Sequence, residues 1–143
     1  MKAWFWLLMA VLALPQTAQA ARDASMLCEQ AAQIAAREEN VPLDVLRALT
    51  LTETGHSRDG TLRPWPWAVN RAGEGHWFDT EGEALAYVTS VLRSGARNFD
   101  LGCFQLNHRW HAEGFADLRA MIDPVENALY ACLLYTSPSP RDS

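Results

Sequence analysis

Glu53 is the side chain in this sequence best placed to move a proton. It closes a stretch, Leu43 to about Thr54, whose apolar residues recur at helical spacing before Gly55. At about 100° per residue from Leu46, Leu49 falls at about −60°, Leu43 at about +60° and Glu53 at about −20°. The carboxyl is therefore expected along the centre of an apolar stripe, in the last turn of a helix. Burial there disfavours the ionised form, and the negative end of the helix dipole disfavours it further. A carboxyl that keeps its proton near neutrality can protonate a departing glycosidic oxygen. In the competing reading Glu53 turns outward and pairs with Arg58 or Arg63, since not every perturbed carboxyl is catalytic.

Ordinary glycosidases use two carboxylates, about 5–5.5 Å or about 6.5–9.5 Å apart. Asp100 is the one second acid to consider, and capping of its own loop is the simpler expectation for it. Other reactive constellations are missing. His108-Arg-Trp-His111 sets two histidines three apart, but His-Glu-x-x-His and a third ligand are absent. Packing or surface histidines are expected there, with no metal and no cofactor. Gly73-Glu-Gly75 neither follows a buried strand nor opens a helix, which excludes a phosphate loop. No Gly-x-Ser-x-Gly occurs, and neither Cys28 nor Cys103 has an evident His partner.

Helices must position these groups. Asp23 or Ser25 can cap a first helix through about Glu39, ended by Asn40. Pro42 suits the first turn of the second, which Gly55 closes. From Arg58 to Asp79 the chain is rich in Gly, Pro and Trp without helical period. Within it, Trp67-Ala-Val-Asn70 and His76-Trp-Phe78 flank Arg71–Gly75 as a small hairpin. Thr80-Glu-Gly-Glu83 is a capping box for a third helix ending at Gly95. Phe115–Ile122 predicts a short helix, and Asp123-Pro124-Val-Glu126 opens another. The fold class is α+β, predominantly helical, with one small β-hairpin.

The chain has 143 residues and a net charge of −5, enough for one small domain. Without a basic run, nucleic acid is not an expected partner. Both ends stand apart. Residues 1–20 read as a signal peptide: Lys2, an apolar run from Trp4 to Leu14, Pro15, then Ala18-Gln19-Ala20 as a small-x-small site. The run is too short for a spanning helix of about 20 residues. The mature domain is expected over 21–131, in the periplasm or secreted. Residues 132–143 turn Ser/Pro-rich and look like translated sequencing adapter, expected to be disordered. Setting Cys132 aside leaves Cys28 and Cys103, which can bridge in an oxidising compartment. The alternatives are pairing with a cysteine further downstream, or a buried thiol.

Thr52-Glu53-Thr54-Gly55, followed by Gly102-Cys103-Phe104-Gln105-Leu106-Asn107, resembles the first two motifs of the soluble lytic transglycosylase (SLT) family. That family has Glu-Ser/Thr-Gly at a helix end, then Gly-Leu-Met-Gln-Ile. Asp123-Pro-Val-Glu-Asn127-Ala-Leu-Tyr130 is similar to its Asp-Pro-x-x-Asn-Ile-x-x-Gly stretch. The likeness runs from about Cys28 to Ala131, where the chain leaves the pattern ahead of the family's Ala-Tyr-Asn-x-Gly motif.

The resemblance implies a lysozyme-like fold and cleavage of the N-acetylmuramic acid–N-acetylglucosamine bond of peptidoglycan. Glu53 would be its single acid and base, and the product a 1,6-anhydro-muramoyl end. It also implies that Gln105 lines the groove, where its amide can donate to substrate oxygens; capping of its own loop is the alternative. Gly102 would let backbone approach closely.

Asn70 ends a Trp-Pro-Trp-Ala-Val-Asn run similar to that in transglycosylases of secretion systems, and is expected in the groove. Trp65, Trp67 and Trp77 can pack sugar faces, with Trp77 expected in the core instead. Tyr130 faces groove or core. Implied partners are peptidoglycan strands and secretion-system or flagellar components, with the protein a monomer. Two other functions remain open: a lysozyme-type muramidase, and a non-catalytic glycan-binding accessory of an envelope-spanning machine.

Overall fold

The computed structural model describes residues 16–137, with side chains from Ala24 onward. Most of the expected signal peptide, and residues 138–143 of the tail, lie outside the described residues. The fold is α+β and predominantly helical. Its elements in order are α1 (Gln16–Glu38), α2 (Leu43–Thr54), β1 (His56–Arg58), β2 (Thr61–Arg63), β3 (Ala68–Arg71) and β4 (Glu74–Trp77). Then come α3 (Glu81–Arg93), β5 (Asp100–Leu101), β6 (Leu106–Asn107), α4 (His108–His111), α5 (Leu118–Ile122) and α6 (Pro124–Thr136). Among the described residues no helix is long and apolar enough to cross a membrane.

Local chemistry sets several boundaries. Thr80 and Glu83 form the reciprocal capping box at the start of α3. Asp123 accepts from the backbone N–H groups of Val125 and Glu126, both at 3.0 Å, opening α6 at Pro124. Other boundaries differ from expectation. Neither Asp23 nor Ser25 caps α1, because the helix continues upstream to Gln16. The helix expected from Phe115 starts at Leu118, where Asp117 accepts from the Ala120 N–H at 2.8 Å.

The tail is not disordered from Cys132, since α6 runs on to Thr136. Cys132 is fully buried with Ala128 and Ala131, spacing that lays one face of α6 on the core. The apolar residues Cys132 to Tyr135 extend a helix already nucleated.

The strands form two sheets, β1–β2 and β4–β3–β5–β6. The expected hairpin is β3–β4, tighter than five residues: Arg71 pairs with Glu74, and Ala72 and Gly73 turn with φ of 54° and 84°. The β1–β2 hairpin was not expected. Its signal was present, since Asp59-Gly60 is a preferred two-residue turn and both residues adopt positive φ. Strands β5 and β6 are two residues each, too short for alternation to show.

Leu46, Val69, Val88, Phe99, Leu101 and Ile122 are central to the core. Cys28 on α1 and Cys103 in the β5–β6 loop form a disulfide across 75 residues, both fully buried.

Candidate functional site

Glu53 ends in the open rather than under an apolar stripe. The buried face of α2 is Leu46, Thr50 and Thr54, and Glu53 is exposed at its edge. Two hydroxyls turn the helix. Thr50 Oγ1 donates to the Cys103 carbonyl at 2.8 Å; Thr54 Oγ1 donates to the Thr50 carbonyl at 2.9 Å and accepts from the Trp65 N–H at 3.0 Å. Satisfied in this way, threonines take core positions that periodicity alone assigns to leucine. Glu53 does not pair outward either: Arg58 bonds Asp79 at 2.8 Å, and Arg63 reaches Ser25.

The carboxyl stands where two cavities meet. One, of about 200 Å³, is lined by Glu53, Asn70, His76, Trp77 and Gln105 with nearby backbone. The other, of about 310 Å³, is lined by Glu53, Gln105, Asn107 and His111 among others, and by Leu134 and Tyr135 of the adapter-like segment. Glu53 and Gln105 belong to both, so the two cavities make one groove with an acid at its middle.

The four-stranded sheet carries a polar row whose two ends, Asn70 and Asn107, line the groove. Asn70 on β3 pairs with Asp100 on β5, and Asp100 with Asn107 on β6. Directly opposed residues share a sheet face, so the three side chains stand side by side. Asn107 Nδ2 donates to Asp100 Oδ1 at 2.8 Å, fixing the carboxylate. Partial desolvation pushes the Glu53 pKa up, and the charge of Asp100 pushes it further. Asp100 is thus a second acid within electrostatic reach of Glu53, beyond the loop-capping role expected of it.

The β5–β6 loop is clamped from below by Asn127, which is fully buried. Its Nδ2 donates to the carbonyls of Leu101 at 3.2 Å and Met121 at 2.9 Å, and its Oδ1 accepts from the Phe104 N–H at 2.8 Å. Gly102 is buried against this amide and does not line the groove, contrary to its expected contact with substrate. Its φ is 84°, and a Cβ there would stand 2.5 Å from Asn127 Nδ2. Gly102→Ala is expected to cost about 2–4 kcal/mol, combining left-handed strain and overpacking. Chemical denaturation measures this; a loss under about 1 kcal/mol would show that the clamp yields freely.

Gln105 lines the groove in a different role. Its Nε2 donates to the carbonyls of Ala68 at 3.1 Å and Gly102 at 3.0 Å, tying the loop to β3. The amide offers substrate its acceptor Oε1, whereas donation to substrate was expected.

Asn70 is in the groove. Trp67 is not: it packs on the core. Tyr130 stands behind the groove, its hydroxyl 3.4 Å from His111 Nδ1 and its ring 4.7 Å from Phe115. Trp77, expected in the core, is 39% exposed and lines the groove, its Nε1 donating to the Thr54 carbonyl at 3.2 Å. Trp65 takes the core position, 2% exposed, with Nε1 donating to the Phe78 carbonyl at 2.7 Å.

Sequence reasoning missed His111 as a groove residue, because His108 and His111 read as a pair. They separate: the His108 ring stacks on Phe99 at 4.7 Å, and His111 faces the groove. Comparison with family models, curated proteins and solved structures finds no match to this chain.

Proposed function

We propose that this chain is an exported peptidoglycan lytic transglycosylase of the SLT type, with Glu53 as its acid and base. The observation that carries the reading is Glu53 at the junction of two cavities, opposite the Asn70–Asp100–Asn107 row. The order of Thr52-Glu-Thr-Gly55, Gly102–Asn107 and Asp123–Tyr130 supports it independently.

A glycan strand lies along the groove with the scissile oxygen at Glu53. Protonated Glu53 donates to that oxygen as the C1–O bond of the muramoyl residue breaks. The substrate's own acetamido oxygen closes on C1 and carries the positive charge. Glu53, now a carboxylate, takes the proton from the 6-hydroxyl, whose oxygen displaces the acetamido group. The 1,6-anhydro ring forms, and Glu53 regains its proton. Partial burial raises the proton affinity of Glu53, and the charge of Asp100 adds to it. Asn70 offers hydrogen bonds to sugar hydroxyl and acetamido groups, and Gln105 its acceptor Oε1.

Asp100 also favours a second reading. A second carboxylate close enough to act on the first by its charge is in keeping with a hydrolase, in which water takes the place of the 6-hydroxyl. Digestion of purified sacculi in ¹⁸O-water separates the readings. Anhydro-muramoyl ends without label are the expected product. Labelled reducing ends would establish the muramidase, and binding without cleavage a glycan-binding accessory.

Asp100→Asn removes the charge that raises the Glu53 pKa. A general acid works only while protonated, so the decline in rate with rising pH should begin at lower pH in this variant. A pH–rate profile checks this, and an unmoved decline would show that Asp100 does not tune Glu53.

A further inference from the structure

A third cavity, of about 110 Å³, lies outside the groove and is lined by Ser25, His56, Arg58, Asp59, Thr61, Arg63 and Trp65. The β1–β2 ribbon builds it. His56 pairs with Arg63 and Arg58 with Thr61, so all four side chains share one face, and Ser57 and Leu62 take the other. Arg58 is held flat, its guanidinium 4.2 Å above the Trp65 ring and its Nη2 bonded to Asp79 at 2.8 Å. Arg63 is held differently. It makes no ion pair among the described residues, and its contact there is Nη1 to Ser25 Oγ at 3.5 Å. Its guanidinium fork is therefore available to a planar anion, with the Thr61 hydroxyl beside it.

This cavity and the groove are neighbours, joined through a stacked pair of rings. His56, which lines this cavity, stacks on Trp77 at 4.7 Å with the rings 16° from parallel, and Trp77 lines the groove beside Glu53. That neighbourhood is what a substituent on a sugar bound near Glu53 would need in order to reach Arg63. We propose that this cavity binds a free carboxylate of the peptide stem carried by muramic acid, with Arg63 as its principal contact. The inference rests on the peptidoglycan reading of the groove. Asp59 at the hairpin tip adds one negative charge to the rim, which suits a single carboxylate better than a phosphate's two charges.

The test is binding of the free tripeptide L-Ala-γ-D-Glu-meso-diaminopimelate to the full chain, followed by amide chemical shifts. The expected shifts concentrate on residues 56–63, and Arg63→Gln weakens binding by at least about tenfold, the effect of losing a charge-assisted hydrogen bond. Arg63→Lys, which keeps the charge and loses the fork, should fall between. On peptide-bearing glycan Arg63→Gln should slow cleavage; on amidase-stripped glycan it should match the parent. Absence of tripeptide binding, equal binding by Arg63→Gln with an unchanged melting curve, or equal slowing on stripped strands would overturn the proposal. The binding arm needs no turnover, so it can succeed or fail whatever Glu53 proves to do.

Discussion

Replacing Glu53 by Gln should lower cleavage of purified sacculi by about 10²–10⁴-fold, the range typical of a positioned general acid. Gln is nearly isosteric and still offers hydrogen bonds, but it has no proton to give and cannot become a base. The fold should survive, because Glu53 is exposed and makes no ion pair among the described residues. Stability should even rise near neutrality. A carboxyl whose folded pKa is raised binds its proton more tightly folded than unfolded, so the wild type loses stability as pH rises from the ordinary glutamate pKa to the raised one. Glu53→Gln escapes this loss. Its melting temperature should match the wild type in acid and exceed it slightly above that window. Full residual activity in a folded variant would remove Glu53 from the mechanism.

Removing the Cys28–Cys103 bridge should be the largest single blow to stability. Opening a loop of 75 residues relaxes the unfolded chain by about 4 kcal/mol. A domain of this size holds only about 5–15 kcal/mol in all. The paired Cys28→Ala, Cys103→Ala variant should therefore melt lower by on the order of 15 °C. The effect reaches the site, because the Cys103 carbonyl accepts from Thr50 and so registers the β5–β6 loop against the helix that carries Glu53. Activity should fall more steeply with temperature than in the bridged protein. Melting of both proteins under oxidising conditions checks this. A difference under about 1 kcal/mol would mean that core packing alone holds the loop.

What was legible in the sequence was what local chemistry decides. Thr80 and Glu83 announced α3, Asp123 and Pro124 announced α6, and Gly55 closed α2, because caps and breakers act within one turn. The helical wheel put Glu53 at the end of α2 and near the right face. It failed on burial, since it ranks residues by apolarity and cannot foresee that Thr50 and Thr54 will find carbonyls 2.8 and 2.9 Å away.

The groove's polar row was beyond sequence reasoning for a different reason. Asn70, Asp100 and Asn107 meet only through strand register, and two-residue strands carry no periodic signal. The burial of the tryptophans was hidden too: both Trp65 and Trp77 donate to a carbonyl, and tertiary packing alone leaves Trp65 2% and Trp77 39% exposed. The Asp59-Gly60 turn, by contrast, carries its signal in two adjacent residues.

The most direct measurement is a carboxyl ¹³C titration of Glu53 by NMR, in the wild type and in Asp100→Asn. The mechanism requires a side chain that titrates above the ordinary glutamate range and moves downward when Asp100 loses its charge. A Glu53 that titrates at or below the ordinary value, unmoved by Asp100→Asn, would contradict its assignment as the proton donor of this groove.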